Sequence, residues 1–177
     1  MSGLVASNVG AGEEVGMTNS DRYFALMESI HEAMAAKRYA VVLQHAYESL
    51  PLIPGWIGET KREYDSFDIT EIPAIELAAR FSAAQGDVER LESLRSWVAS
   101  IPELQPWVSV VDDRIVSAQT YSRIIVLVTE QPGFHQNALP GALDVPGRIT
   151  SRLVADMDAL GVIRREKAGK TYALYAV

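Results

Sequence analysis

Apolar residues recur at helical spacing from Ser20 onward. Tyr23, Met27, Ile30 and Met34 step by 4, 3 and 4 along the chain, which places them on one face of a helix. Ser20 is the expected N-cap, and Asp21 suits the positive end of the helix. A second helix is predicted over about Arg38 to Leu50, with Tyr39, Val42, Leu43, Ala46 and Leu50 inward and with Pro51 and Pro54 ending it. Residues 51–72 mix proline, glycine, Lys61, Arg62 and several aromatics, which predicts a long loop with room for a short helix around Trp56–Tyr64. Helical spacing returns at Ile72-Pro73, where proline suits a first turn, and runs through an alanine-rich 73–84 to Gln85-Gly86. Asp87 then caps a helix whose Val88, Leu91, Leu94, Val98 and Ile101 form a stripe closed by Pro102. Another helix follows Pro106, with Val108, Val111, Ile115 and Ala118 on one side.

The rhythm changes near residue 120. Tyr121 to Val128 is apolar and rich in β-branched residues, which suits a strand, but the elements that follow require a helix there. In Phe134 to Leu143, Asn137 is expected to cap a short helix, with Pro140 in its first turn and Leu139 and Leu143 facing the core. Asp144-Val145 makes a turn and Pro146 opens a third helix, 146–160. There Ile149, Leu153, Met157 and Leu160 form the inward stripe, Thr150 and Val154 sit beside it, and Gly161 stops the helix. The opposite face carries Arg148, Ser151, Arg152 and Ala155, so basic and small polar groups crowd the N-terminal half. Residues 162–176 read as a β-hairpin with Gly169 at the tight turn and Lys167 and Lys170 flanking its tip.

The run Ile149-Thr150-Ser151-Arg152-Leu153-Val154-Ala155-Asp156-Met157-Asp158-Ala159-Leu160-Gly161-Val162-Ile163 resembles the recognition helix and first wing strand of MarR-like winged-helix regulators. Pro132-Gly133-Phe134 resembles the turn before their second helix. The resemblance covers Thr120 to Val177. It implies DNA binding, with the helix inserted in the major groove and the wing touching backbone or minor groove. Thr150 stands where that family usually has an apolar residue, the wing is short, and MarR proteins carry dimerising helices on both sides of the module. The resemblance is therefore to the winged helix-turn-helix superfamily. Two earlier stretches, Lys37 to Pro54 and Gly86 to Pro102, each read as turn, amphipathic helix and proline. They resemble the second helix of a tetratricopeptide-type repeat, although they recur at about 48 residues rather than about 34. An ordinary helical bundle is the alternative for this region.

The expected fold is mainly α. Residues 1–19, rich in Gly, Ser and Ala, form a flexible leader; residues 20–118 form an α-helical bundle or repeat-like module; residues 119–177 form a winged helix with a small β-hairpin. Formal net charge is −7, but it is unevenly placed. Residues 1–119 hold 9 Lys+Arg against 18 Asp+Glu, whereas residues 120–177 hold 7 against 5. An acidic body repels phosphate, so any nucleic-acid contact is expected from the last third. No run approaches the roughly 20 apolar residues a bilayer requires, and no basic stretch precedes an apolar block at the start, so a cytoplasmic protein is expected.

Enzyme chemistry finds no anchor in the sequence. The chain has no cysteine, and its three histidines, His31, His45 and His135, lack the paired spacing of a metal site. Phosphate-binding loops and nucleophile elbows are missing, so neither catalysis nor a cofactor is expected. Asp112 and Asp113 are adjacent on a helix and diverge by about 100°, which prevents them from acting as a facing pair. The leading expectation is a DNA-binding transcriptional regulator that contacts duplex DNA through Arg148, Ser151, Arg152, Gln136, Lys167 and Lys170. Its N-terminal helices would dimerise, sense a ligand or recruit a protein partner; a homodimer is expected, because a single small module binds weakly at cell salt. The alternative is a protein-interaction adaptor in which the winged helix does not bind DNA.

Overall fold

The computed structural model describes residues 16–64 and 72–177. It is mainly helical, with a small three-stranded antiparallel sheet near the C-terminus. The helices are α1 (Asn19–Ala35), α2 (Tyr39–Ser49), α3 (Ile53–Glu63), α4 (Pro73–Ala84), α5 (Val88–Ala99), α6 (Val108–Glu130), α7 (Leu139–Leu143) and α8 (Gly147–Ala159). The strands are β1 (Phe134–His135), β2 (Ile163–Ala168) and β3 (Thr171–Ala176). No helix among the described residues is long and apolar enough to cross a membrane.

The first stripe packs as its spacing predicts: Tyr23 and Ile30 are buried, and Met27 and Met34 lean on the same core. The cap lies elsewhere than expected. Thr18, not Ser20, is the N-cap: its hydroxyl accepts from the Asp21 amide and the Asp21 carboxylate accepts from the Thr18 amide. Ser20 and Asn19 instead donate to Glu59, reached from α3 across 39 and 40 residues. Four hydrogen bonds hold that carboxylate ionised, the Ser20 hydroxyl and amide first among them, and its pKa falls to about 2. A carboxyl depressed on folding stabilises above its unfolded pKa and loses that contribution as pH falls through the folded value. The contact between α1 and α3 is therefore expected to weaken between about pH 5 and pH 2. Glu59→Gln should flatten that part of the stability-against-pH curve; a wild-type curve that is level down to pH 2 would contradict this account.

The expected loop over 51–72 is mostly helix. A 3-10 turn covers Leu50–Leu52, and α3 follows directly with Pro54 in its first turn. Proline there removes an N–H that no helix would have satisfied, so it starts α3 rather than merely stopping α2. Ile53 and Ile57 are buried, and Trp56 stacks on Tyr23 with ring centroids 4.5 Å apart. The part of the predicted leader at 1–15 and of the predicted loop at 65–71 lies outside the described residues.

The two predicted helices near 108–118 and 121–128 are one continuous rod, α6, of 23 residues. Its β-branched residues suit a strand locally, but the helix packs apolar residues on both of its halves. Val111 and Ala118 enter the core shared with α1–α5, while Ile124 and Val128 enter a second core. That second core gathers Leu139, Leu143, Leu153, Val154, Met157, Ile163 and Leu174 from α7, α8 and the sheet, with Ala84 from the end of α4.

Gly86 joins α4 to α5 with a φ of +68°, and a Cβ placed there would lie 2.2 Å from the ring of Tyr121 on α6. Gly161, at φ +71°, has open space around it. Gly161→Ala should thus cost only the left-handed backbone term, about 1 kcal/mol. Gly86→Ala adds the displacement of an aromatic ring and should cost about 1 kcal/mol more. Equal losses for the two variants in urea denaturation would show that the Tyr121 contact contributes nothing.

Candidate nucleic-acid interface

After α6 the chain runs strand, 3-10 turn, short helix, helix and two-stranded ribbon, and the sheet order is β1-β3-β2. The two-residue β1 carries no sequence signal, because Phe134-His135 is too short to show alternation. It pairs with Leu174 and Ala173 and so ties the end of α6 to the ribbon. Asn137 is not a helix cap. It sits in the 3-10 turn Gln136–Ala138, and its amide donates to the Thr171 hydroxyl on β3. The short helix α7 starts without a side-chain cap and ends at Asp144 in the left-handed conformation.

Helix α8 is rotated from the expected phase. Leu153, Val154 and Met157 are buried together with Thr150, whereas Ile149 stays 44% exposed. The reason is local chemistry as well as packing. The Thr150 hydroxyl donates to the Gly147 carbonyl at 3.1 Å, so its polar atom is satisfied inside the helix although the residue is buried. The rotation also buries Asp156, at 3% exposure. Arg80 of α4 meets it with two parallel bonds, Nε to Oδ2 at 2.8 Å and Nη2 to Oδ1 at 2.5 Å.

Arg148, Ser151 and Arg152 are exposed on α8, as the sequence pattern predicts. Arg148 makes no hydrogen bond or ion pair with the described residues. Arg152 is less free. Its Nη2 lies 3.4 Å from Glu76 of α4, a carboxylate that also pairs with Arg114 of α6. Partial desolvation pulls the Arg152 pKa below its ordinary value, and repulsion from Arg114 and Arg80 adds to this; Glu76 and Asp156 oppose it.

Lys167 and Lys170 are exposed at the β2–β3 turn, where Ala168 faces Thr171 and Gly169 takes a φ of +62°. Glycine first in a two-residue turn follows the ribbon's right-handed twist. Behind the tip, Arg164 pairs with Glu166 at 3.1 Å and Arg165 with Asp158 at 2.9 Å. They also lie over the rings of Tyr175 and Tyr172, so both are occupied in holding the ribbon and its seat on α8. Gln136 is turned inward: its Oε1 is buried with no hydrogen-bond partner among the described residues.

The structure therefore gathers Arg148, Ser151 and Arg152 on one helix, sets Lys167 and Lys170 on the ribbon tip, and turns the Gln136 side-chain oxygen inward. Missing from the sequence reading were Glu76, Arg80 and Arg114, which approach α8 from α4 and α6. Only the i, i+4 spacing of Glu76 and Arg80 hints at them, and that spacing says nothing about α8. Among the described residues no group of three His, Asp or Glu side chains is placed to hold a metal. Comparison with protein-family models, with curated proteins and with solved structures found no match, so any functional reading rests on the geometry of α8 and its surroundings.

Proposed function

We propose that this chain is a DNA-binding transcriptional regulator of the winged helix-turn-helix superfamily, acting in the cytoplasm, with α8 as the helix that enters the major groove and the β2–β3 turn as the wing. The carrying observation is the way α8 is seated. Leu153, Val154 and Met157 sink it into the second core, while Arg148, Ser151 and Arg152 remain exposed on its N-terminal half. Arginines at that end of a helix meet base edges and phosphates, and lysines at a ribbon tip meet the adjacent backbone. The order of elements and the β1-β3-β2 sheet support the same reading. A homodimer would supply the second half-site that tight binding at cell salt requires.

A second reading, a protein-interaction adaptor, draws on one observation. Glu76 holds Arg152, and the rest of the helical body is acidic, so α8 has an anionic neighbour that a duplex must tolerate. Fluorescence polarisation with a labelled mixed-sequence duplex, titrated at several salt concentrations, separates the two. The regulator binds at low salt with an affinity that falls steeply as salt rises. No binding at about ten micromolar protein in low salt would favour the adaptor.

A further inference from the structure

Helices α4, α6 and α8 line a groove of about 680 Å³. That volume lies within the range of roughly 300–1,000 Å³ typical of sites for small organic molecules. Its apolar part includes two residues that a folded chain has reason to hide: Val116 is 61% exposed and Ile149 44%. Its polar part is unbalanced. Five arginines line the groove, and three carboxylates answer them: Asp113, Asp156 and Glu76, which reaches in through Arg114. The two pairs closest to neutrality are Arg80 with Asp156 and Arg114 with Glu76. Arg123 is tied to the Leu143 carbonyl, which leaves its charge uncompensated. Arg148 makes no ion pair with the described residues, and Arg152 has only the 3.4 Å share of Glu76.

A surplus of cations in this groove stands out in a chain of net charge −7. Partial desolvation first, and then the two neighbouring arginines, hold the Arg152 pKa below its ordinary value against the nearby carboxylates. An anion seated there would relieve that repulsion, and an apolar body attached to it would cover Val116 and Ile149.

We propose that the groove between α6 and α8 binds a small organic carboxylate with an apolar body, the carboxylate between Arg148 and Arg152 and the body against Val116 and Ile149. A bare anion would leave the two exposed apolar residues in water, and an uncharged apolar molecule would leave the arginines unanswered. The ligand and a duplex would compete for Arg148 and Arg152, but the titration uses the full chain and the ligand alone, so its failure is distinguishable from a failure of duplex binding.

Isothermal titration of phenylbutyrate and of decanoate into the full-length protein tests it, with phenylbutyramide and inorganic phosphate as the uncharged and the bare-anion arms. At least one carboxylate should bind saturably at one per chain, and its uncharged or non-apolar counterpart should bind at least about tenfold more weakly. Arg152→Gln removes a cation, and Val116→Glu places a carboxylate in the groove at an exposed position that does not threaten folding. Each should weaken the carboxylate about tenfold, while Arg62→Gln, on the exposed end of α3, should leave it within about twofold. The proposal is overturned if neither carboxylate saturates by about 10 mM, or if the amide or phosphate binds as tightly. It is equally overturned if both groove variants bind like the parent.

Discussion

Asp156→Ala is expected to lower the unfolding free energy by about 3 kcal/mol in urea or guanidinium denaturation, although Asp156 lies on a helix whose Arg148, Ser151 and Arg152 are exposed. Asp156 is 3% exposed, and its only strong partner among the described residues is the Arg80 guanidinium. Removing one member of a buried pair leaves the other charged and largely desolvated, which typically costs about 3–5 kcal/mol. The Arg80 side chain keeps 29% of its surface in water, so the lower part of that range applies. Arg80 would retain a distant attraction to Glu76 and its contact with the Phe81 ring at 5.3 Å, neither of which replaces a bidentate carboxylate. Arg80→Met combined with Asp156→Leu should recover most of the loss, because apolar replacement of both partners removes the unpaired charge. A loss below about 1 kcal/mol for Asp156→Ala would mean that α8 is not held to α4 by this pair. Because the pair joins elements 76 residues apart in sequence, its loss should also loosen α8 against the helical body. Hydrogen exchange in α8 is the second measurement.

The second large effect concerns the duplex. Arg148→Ala with Arg152→Ala should weaken duplex binding by about tenfold to a thousandfold at low salt and reduce the slope of log affinity against log salt by about 2. Each arginine on a phosphate releases roughly one counterion, so the slope counts contacts where affinity alone does not. Both side chains are exposed, so the stability of the chain should change by less than about 0.5 kcal/mol per site. The two positions are not equivalent. Arg148 reaches phosphate without leaving a partner, whereas Arg152 must first give up its contact with Glu76. Arg148→Ala alone is therefore expected to cost more affinity than Arg152→Ala. Glu76→Gln should strengthen binding by removing a competitor and a nearby negative charge. An unchanged salt slope in the double variant would sink the assignment of α8 to the duplex, whatever the remaining affinity.

Most of the helical framework was legible from periodicity. The Tyr23, Val42 and Leu91 stripes are buried as their spacing requires, and Asp87 caps α5 by accepting from the Arg90 amide. Turn chemistry placed the end of α8 at Gly161 and the ribbon tip at Gly169, both at positive φ. Errors arose where one residue type serves two local purposes. Pro54 stops one helix and starts the next, and the β-branched run in α6 fits strand or helix until its neighbours are known. Strand β1 carries no periodic signal at two residues and exists only because β3 is beside it.

For the candidate site, the sequence by itself determined the composition of α8: a helix bounded by Pro146 and Gly161, with Arg148, Ser151 and Arg152 at its start and an apolar stripe behind. It also determined the charge asymmetry, because charge is a property of the residues and not of their arrangement. Only the tertiary structure decided how far α8 is rotated, and so why Ile149 faces out while Thr150 and Asp156 face in. A helical pattern leaves the phase uncertain by one residue, about 100°, until a facing surface selects it. Here Arg80 on α4 and the second core make that selection together. The same contact brings Glu76 beside Arg152 and closes the groove. Spacing along a chain reports neighbours three and four residues away, and side chains 76 positions apart meet only once the helices have packed.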